Sequence, residues 1–162
     1  MRAPIRRRRG LRGFTMVELI AVLMLLGIAM VTVLPRMTAA LDLRNEAWRD
    51  QVLAAVRHAQ TTARSHRRLV CAALGDGAVK LSIARERAAG GCDVNLPGPD
   101  GDGAWAREPS GIATSVSTGG ELFMQPDGRI TVDPEGIKTD VLTISIAGAA
   151  DIVIDGETGL VR

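Results

Sequence analysis

Glu18 is the one charged residue in a long apolar run, and its position suggests a charge pairing. The run extends from Phe14 to Leu34, and Glu18 lies four residues after Phe14, about one helical turn. If the chain were cut between Gly13 and Phe14, the new amine would be a cation at the level of the Glu18 carboxylate. That amine on one copy could neutralise Glu18 on a neighbouring copy. The alternative is that Glu18 simply reaches water from the end of the apolar segment.

Other residue types that could do chemistry form no recognisable constellation. His58 and His66 are eight residues apart on a predicted helix, where a lone histidine usually packs or faces solvent. Asp100-Gly101-Asp102-Gly103 matches part of a calcium loop but lacks the later ligands. The chain has no Ser-His-Asp order with supporting glycines and no phosphate-binding Gly-Lys-Ser/Thr run. The sequence therefore predicts that the protein is not an enzyme and has no metal site and no cofactor.

The apolar run itself is long enough to cross a bilayer as a helix. Its 21 residues, 14–34, would reach roughly 30 Å at about 1.5 Å per residue. Six arginines precede it, and this positive excess predicts a cytoplasmic N-terminus with the remaining chain across the membrane. The run is longer than the core of a secretory signal and is followed by no small-residue cleavage site. We therefore expect a single-pass membrane protein.

Cys71 and Cys92 are the only cysteines, and this orientation places both outside the cytoplasm. Disulfides persist there, so we favour a structural disulfide over two free thiols. A bridge that encloses about 22 residues typically adds roughly 3 kcal/mol of stability. The spacing of the two cysteines, and the distance of the histidines in the sequence, argue against a zinc site.

The positive net charge of the whole chain is not evidence for an acidic binding partner, because it comes from the first 13 residues. The formal net charge is +2, but residues 1–13 hold six basic and no acidic side chains, which leaves 14 basic against 18 acidic, or −4. Residues 51–70 nevertheless contain four arginines and no acid. We favour a solvated helix end, where cations suit the helix dipole, over a patch for DNA or an acidic partner. The residues of such a nucleic-acid patch would be Arg64, Arg67, Arg68 and Arg162.

The periodicity of apolar residues divides the remaining chain into a helix and a β-rich domain. Steps of three and four residues over 35–68 predict an amphipathic continuation of the N-terminal helix. Its apolar positions are Leu41, Trp48, Val52, Ala55, Val56, Ala59 and Ala63. Residues 69–162 predict a β-rich globular domain, with residues 88–111 as a surface loop tied at Cys92. The predicted strands are Leu69–Ala73, Val79–Ile83, Ile112–Val116, Glu121–Met124, Arg129–Val132, Val141–Ile146, Ile152–Ile154 and Leu160–Val161.

The start of the apolar run carries a resemblance to a known family. Gly13-Phe14-Thr15-Met16-Val17-Glu18-Leu19-Ile20 resembles the prepilin-type cleavage and methylation motif of type IV pilins and type II secretion pseudopilins, with Met16 in place of the usual Leu. The resemblance implies that residues 1–13 are a leader and that a prepilin peptidase cuts between Gly13 and Phe14. It also implies N-methylation of Phe14 and a role for Glu18 in docking subunits into a filament.

The resemblance also implies a fold and a location. The expected fold class is α+β: a pilin-like fold whose long N-terminal helix is membrane-spanning in its first half and packs on an antiparallel β-sheet or a two-sheet domain. The expected location is the bacterial inner membrane, with the N-terminus cytoplasmic and the C-terminal domain periplasmic.

The C-terminal half is similar to the GspH/FimT family of minor pseudopilins. The similarity covers Leu122–Thr131, in which Met124 is an extra residue between Phe123 and Gln125-Pro126. It implies a minor pseudopilin, a structural subunit of the type II secretion pseudopilus. The implied partners are the prepilin peptidase, other pseudopilins or pilins and the inner-membrane assembly platform.

The alternative within the same resemblance is a FimT-like minor pilin of the type IV pilus, acting in pilus biogenesis or DNA uptake. Some such proteins use a C-terminal Gly-Arg-x-Arg tail to bind DNA. Here the tail is Gly159-Leu160-Val161-Arg162, so the first arginine is missing. Together with the acidic domain, this argues against nucleic-acid binding.

Overall fold

A computed structural model describes residues 14–75, 77–87, 90–108 and 111–162, with the side chains of residues 31–41 outside that description. The chain divides into two compact units, Met1–Ala40 and Leu41–Arg162. One helix, α1, runs from Met16 to His66 over 51 residues.

The membrane-spanning part of the predicted fold is wrong. Within the described residues, no helix combines the length and the apolar character that a membrane crossing requires. This finding corrects three expectations. They are the pilin-like fold class with a membrane-spanning first half, the transmembrane helix over residues 14–34, and the single-pass inner-membrane location with a periplasmic domain. The structure supports the coarser class, α+β with antiparallel sheets.

Ten strands follow α1 in the described part of the chain. They are β1 Val70–Gly75, β2 Ala78–Ile83, β3 Val94–Leu96, β4 Ala106–Arg107, β5 Thr114–Val116, β6 Glu121–Met124, β7 Ile130–Thr131, β8 Val141–Ile146, β9 Ile152–Asp155 and β10 Leu160–Val161.

The strands form two antiparallel sheets. The first has the order β3-β2-β1-β6-β7, and β4 also pairs with β2. The second has the order β10-β9-β8-β5. In the first sheet Ala73 pairs with Lys80 on one side and with Glu121 on the other. In the second sheet Ile144 lies opposite Ile152. Burial alternates along β1 and β8, because successive side chains of a strand point to opposite faces.

The core lies between the apolar stripe of α1 and the inner faces of both sheets. The buried stripe consists of Trp48, Val52, Ala55, Val56, Ala59 and Ala63, which confirms the predicted apolar positions whose side chains are described. The alanines are completely buried, so the sheets approach the helix closely there. Polar side chains on the same helix add specific links. The Trp48 indole Nε1 donates a hydrogen bond to Thr114 Oγ1 at 2.8 Å.

The helix ends through a left-handed residue rather than a glycine. Arg67 has a φ of 51°, and the backbone N–H of Arg68 donates to the carbonyl of Ala63 at 3.2 Å. This six-residue closure is the pattern of a Schellman C-cap, in which the left-handed position is usually a glycine. The predicted end of the helix, between Ser65 and Arg68, is confirmed.

The segment 88–111 differs from the predicted surface loop. It contains β3 and β4, and both pair with β2, β3 near Ile83 and β4 near Val79. Its glycines, prolines and aspartates gave no local strand signal, because these strands are formed by pairing with β2 rather than by intrinsic preference. Predicted strands elsewhere are present with small shifts at their ends, as at Thr114–Val116.

Candidate functional site

The beginning of α1 is built by a threonine cap. Thr15 precedes the helix, and its Oγ1 accepts a hydrogen bond from the backbone N–H of Glu18 at 3.2 Å. A threonine cap with glutamate three residues later is the sequence of a capping box, and an acidic side chain in the first turn complements the helix dipole. Glu18 therefore has a local role in its own helix, beside the docking role implied by the motif. Gly13, the residue before the predicted cleavage site, lies outside the described residues.

The first part of α1 exposes its apolar side chains in all directions. Phe14 is 75% exposed and Leu23 is 60% exposed. The exposed large apolar residues of this part are Phe14, Met16, Val17, Leu19, Ile20, Val22, Leu23, Met24, Leu25, Leu26, Ile28 and Met30. Contiguous apolar surface of this extent marks a site that is covered by another molecule. Glu18 is the charged residue within it. This surface, residues 14–30, is called the assembly surface below.

The arginines predicted to form a nucleic-acid patch lie in two places on the Leu41–Arg162 unit. Arg67 and Arg68 follow the last turn of α1. Arg64 lies one turn earlier, and its guanidinium packs against Gly128. Arg162 is exposed at the end of β10, where its backbone exchanges hydrogen bonds with Val153.

A further arginine, Arg57, reaches the same C-terminal strand, and the site prediction did not include it. Its Nη2 donates to the carbonyl of Val161 at 3.3 Å. Arg57 belongs to the arginine-rich segment 51–70, so its charge was visible in the sequence, but its contact with β10 spans 104 residues. Arg57 therefore links α1 to the C-terminal strand, next to Arg162 in the chain.

Asp155 ends β9 and lies near enough to Arg162 for the two charges to interact. Its Oδ1 accepts hydrogen bonds from the backbone N–H groups of Thr158 at 3.0 Å and Glu157 at 3.1 Å. The bond from Thr158, and further the charge of Arg162, hold the pKa of Asp155 below its ordinary value of 3.8. The carboxylate partly offsets the positive charge of Arg162, because the two opposite charges attract each other.

Cys71 and Cys92 form the disulfide that the sequence analysis favoured, with a Cα–Cα distance of 6.0 Å. Cys71 lies in the central strand β1, so the bridge fastens the segment after β2 to the outer face of the first sheet. A hollow of about 440 Å³ lies beside the bridge, with Lys80, Glu121 and Phe123 in its lining. Within the described ranges, no three His, Cys, Asp or Glu side chains are grouped so that they could hold a metal ion.

Comparisons with models of known protein families, with curated proteins and with solved structures returned no match for the chain. The resemblance to pilins and pseudopilins rests on the residues of the motif and stays a prediction.

Proposed function

We propose that the protein is a minor pseudopilin, a structural subunit of a type II secretion pseudopilus. The observation that carries this proposal is the assembly surface of residues 14–30, which is apolar all round and begins at the prepilin-type motif. A helix that is apolar on every face is stable in water only when other chains bury it. Packing of such helices from neighbouring subunits would bury it.

The charge of Glu18 gives the packed helices a preferred register. Cutting after Gly13 creates an amine on Phe14, four residues before Glu18. Within an apolar bundle the carboxylate of one subunit is stabilised when it lies beside the amine of the next. Because Glu18 is also the glutamate of the capping box formed with Thr15, the two roles must be separated by a substitution that keeps the capping box.

Processing is tested by co-expressing the full chain with a prepilin peptidase and measuring its intact mass. We expect a product that starts at Phe14 and carries one added methyl group. The matched control is Gly13→Val, which should leave the chain uncut because a branched side chain replaces the glycine at the cut. A wild-type chain that keeps residues 1–13 in the presence of active peptidase would overturn the proposal.

Docking is tested with Glu18→Gln in cells that assemble the filament. Glutamine keeps the hydrogen-bonding capacity of a capping box but removes the charge, so the helix should form while incorporation falls by roughly tenfold or more. Glu46→Gln is the matched control, because Glu46 is exposed on the same helix outside the assembly surface. Normal incorporation of Glu18→Gln would contradict the pairing of Glu18 with an amine.

A second candidate is a type IV pilus minor pilin that contacts DNA, because the contact of Arg57 with Val161 brings the arginine-rich segment of α1 to the strand that ends at Arg162. A gel-shift assay with residues 36–162 and duplex DNA at low and physiological salt separates the two functions. Binding that weakens steeply with salt and is lost on replacing Arg64, Arg67, Arg68 and Arg162 would favour the second candidate. For the pseudopilin we expect no retardation at physiological salt, because residues 36–162 carry a net charge of −3 from 14 basic and 17 acidic side chains.

A further inference from the structure

The two tryptophans of the chain have different surroundings. Trp48 is 4% exposed, and its indole N–H is bound to Thr114. Trp105 is only partly buried, although it lies in a segment otherwise rich in glycine, proline and aspartate. Within the described residues, the indole N–H of Trp105 has no hydrogen-bond acceptor. A large aromatic ring that is left partly open on a polar segment is a common feature of binding surfaces.

The position of Trp105 is fixed from several sides. Its backbone N–H donates to the carbonyl of Val79 at 2.7 Å. Its ring stacks against His58 of α1, with ring centroids 5.7 Å apart and planes inclined by 29°. Gly98 packs so closely that a Cβ there would lie 2.6 Å from the carbonyl oxygen of Trp105. The indole is therefore held in place before any partner arrives, which lowers the entropic cost of binding.

Beside Trp105 is a groove of about 380 Å³ between α1 and the segment 97–106. Its lining consists of Asp50, Gln51, Ala54, Pro99, Asp100, Trp105 and Ala106. The groove thus combines an aromatic ring, small apolar groups and two carboxylates. Asp50 is paired only with its neighbour Arg49 at 3.7 Å among the described residues, and its side chain is 73% exposed. A pair of this kind is weak and leaves the carboxylate accessible.

The chemistry of this groove selects a cation with a planar, partly apolar body. Aromatic rings attract cations through their quadrupole, and carboxylates bind guanidinium groups through paired hydrogen bonds. Arginine satisfies both requirements, because its guanidinium is planar and more weakly hydrated than an ammonium group. Its alkyl stem would lie along Ala54 and Pro99. We propose that the groove binds an arginine side chain that is presented by a partner protein. This proposal goes beyond the proposed function and does not depend on it.

The experiment uses the full chain labelled with ¹⁵N-tryptophan, kept in solution by a mild detergent, which gives two indole N–H signals. Replacement of Trp105 by Phe identifies its signal by loss. The probe is N-acetyl-arginine amide, and its neutral isostere, N-acetyl-citrulline amide, is the matched control. We expect the arginine probe to move the Trp105 signal in a saturable manner and to leave the Trp48 signal in place. The lysine analogue, N-acetyl-lysine amide, should bind more weakly.

Variants then test the two carboxylates. Asp50→Asn and Asp100→Asn should each weaken binding of the arginine probe by roughly two- to fivefold, the range of partly exposed charge pairs. Asp42→Asn is the control, because Asp42 is exposed on α1 outside the groove. A Trp105 signal that does not move, that moves equally with citrulline or lysine, or that responds unchanged in both groove variants would overturn the proposal.

Discussion

The side-chain amide of Gln60 donates a hydrogen bond to the carbonyl of Gly159 at 2.8 Å and a second to the carbonyl of Gly128 at 2.9 Å. One residue of α1 thus joins the turn before β7 to the turn before β10. The contact is close because Gly159 has a φ of 68°, and a Cβ there would collide with the carbonyl of Gly128. The helix is therefore fixed to the C-terminal strands by directed bonds as well as by apolar packing.

Replacing Gln60 by Ala should destabilise the protein by about 1–3 kcal/mol, since two partly buried carbonyls lose their shared donor. Urea unfolding followed by tryptophan fluorescence measures the change. Gln51→Ala is the matched control, because Gln51 is exposed on the same helix, and it should change the free energy of unfolding by less than about 0.5 kcal/mol. Equal effects of the two variants would show that the Gln60 bonds do not contribute.

Reduction of the Cys71–Cys92 disulfide should lower the free energy of unfolding by about 3 kcal/mol, because the bridge closes a chain separation of 21 residues. The measurement is urea unfolding with and without a reductant. The double variant Cys71→Ala/Cys92→Ala should have the stability of the reduced wild type and should not respond to the reductant. A wild-type curve that is unchanged by full reduction would rule out a stabilising role.

Two aspartates should make the protein sensitive to acid. Backbone bonds to Thr158 lower the pKa of Asp155, and bonds to Ile137 and Lys138 at 2.9 and 2.6 Å lower the pKa of Asp133. Because both folded-state pKa values are lower than the unfolded value of 3.8, the stabilisation is present above that pH. It is lost as the pH falls through the folded-state pKa values.

The double variant Asp133→Asn/Asp155→Asn should therefore lose less stability than the wild type as the pH falls below the ordinary aspartate pKa of 3.8. Chemical unfolding at a series of pH values gives the comparison, with Asp42→Asn as an exposed control on α1. Parallel pH profiles for the wild type and the double variant would contradict the lowered pKa values.

Arg67→Gly should stabilise the protein by about 0.5–1 kcal/mol, because glycine adopts the left-handed conformation of the helix end without a steric cost. The neighbouring change Arg68→Gly is the control and should destabilise, since Arg68 does not need a positive φ. Thermal unfolding measures both. A loss of stability in Arg67→Gly would mean that the arginine side chain contributes more than the strained backbone costs.

The sequence predicted those parts of the fold whose signals are local. The alternation of Val141–Ile146 located β8, and the steps from Trp48 to Ala63 located the buried stripe of α1. It failed for β3 and β4, whose pairing with β2 overrides their glycine- and proline-rich surroundings. The predicted membrane crossing was wrong, because within the described residues no helix is both long and apolar enough for one.

The candidate site was predictable only where it is formed by residues that are close together in the sequence. Thr15 and Glu18 are three residues apart in the motif, which singled out Glu18 but not the capping role of Thr15. The contact of Arg57 with Val161 and the stacking of His58 on Trp105 join distant parts of the chain. No local pattern encodes such pairs, because they depend on how the sheets pack against the helix.

The strand order of the first sheet has a consequence for the route of folding. Strand β1 pairs with β2 across the short connection between Gly75 and Ala78, whereas its other partner, β6, is far along the chain, with Val70 opposite Met124. Local hairpins close quickly, and distant strands must first overcome the entropy of a long loop. We expect β1 and β2 to pair early and β6 to arrive late. Oxidation of Cys71 with Cys92 shortens the loop that remains to be closed, so oxidising conditions should speed the last step of refolding.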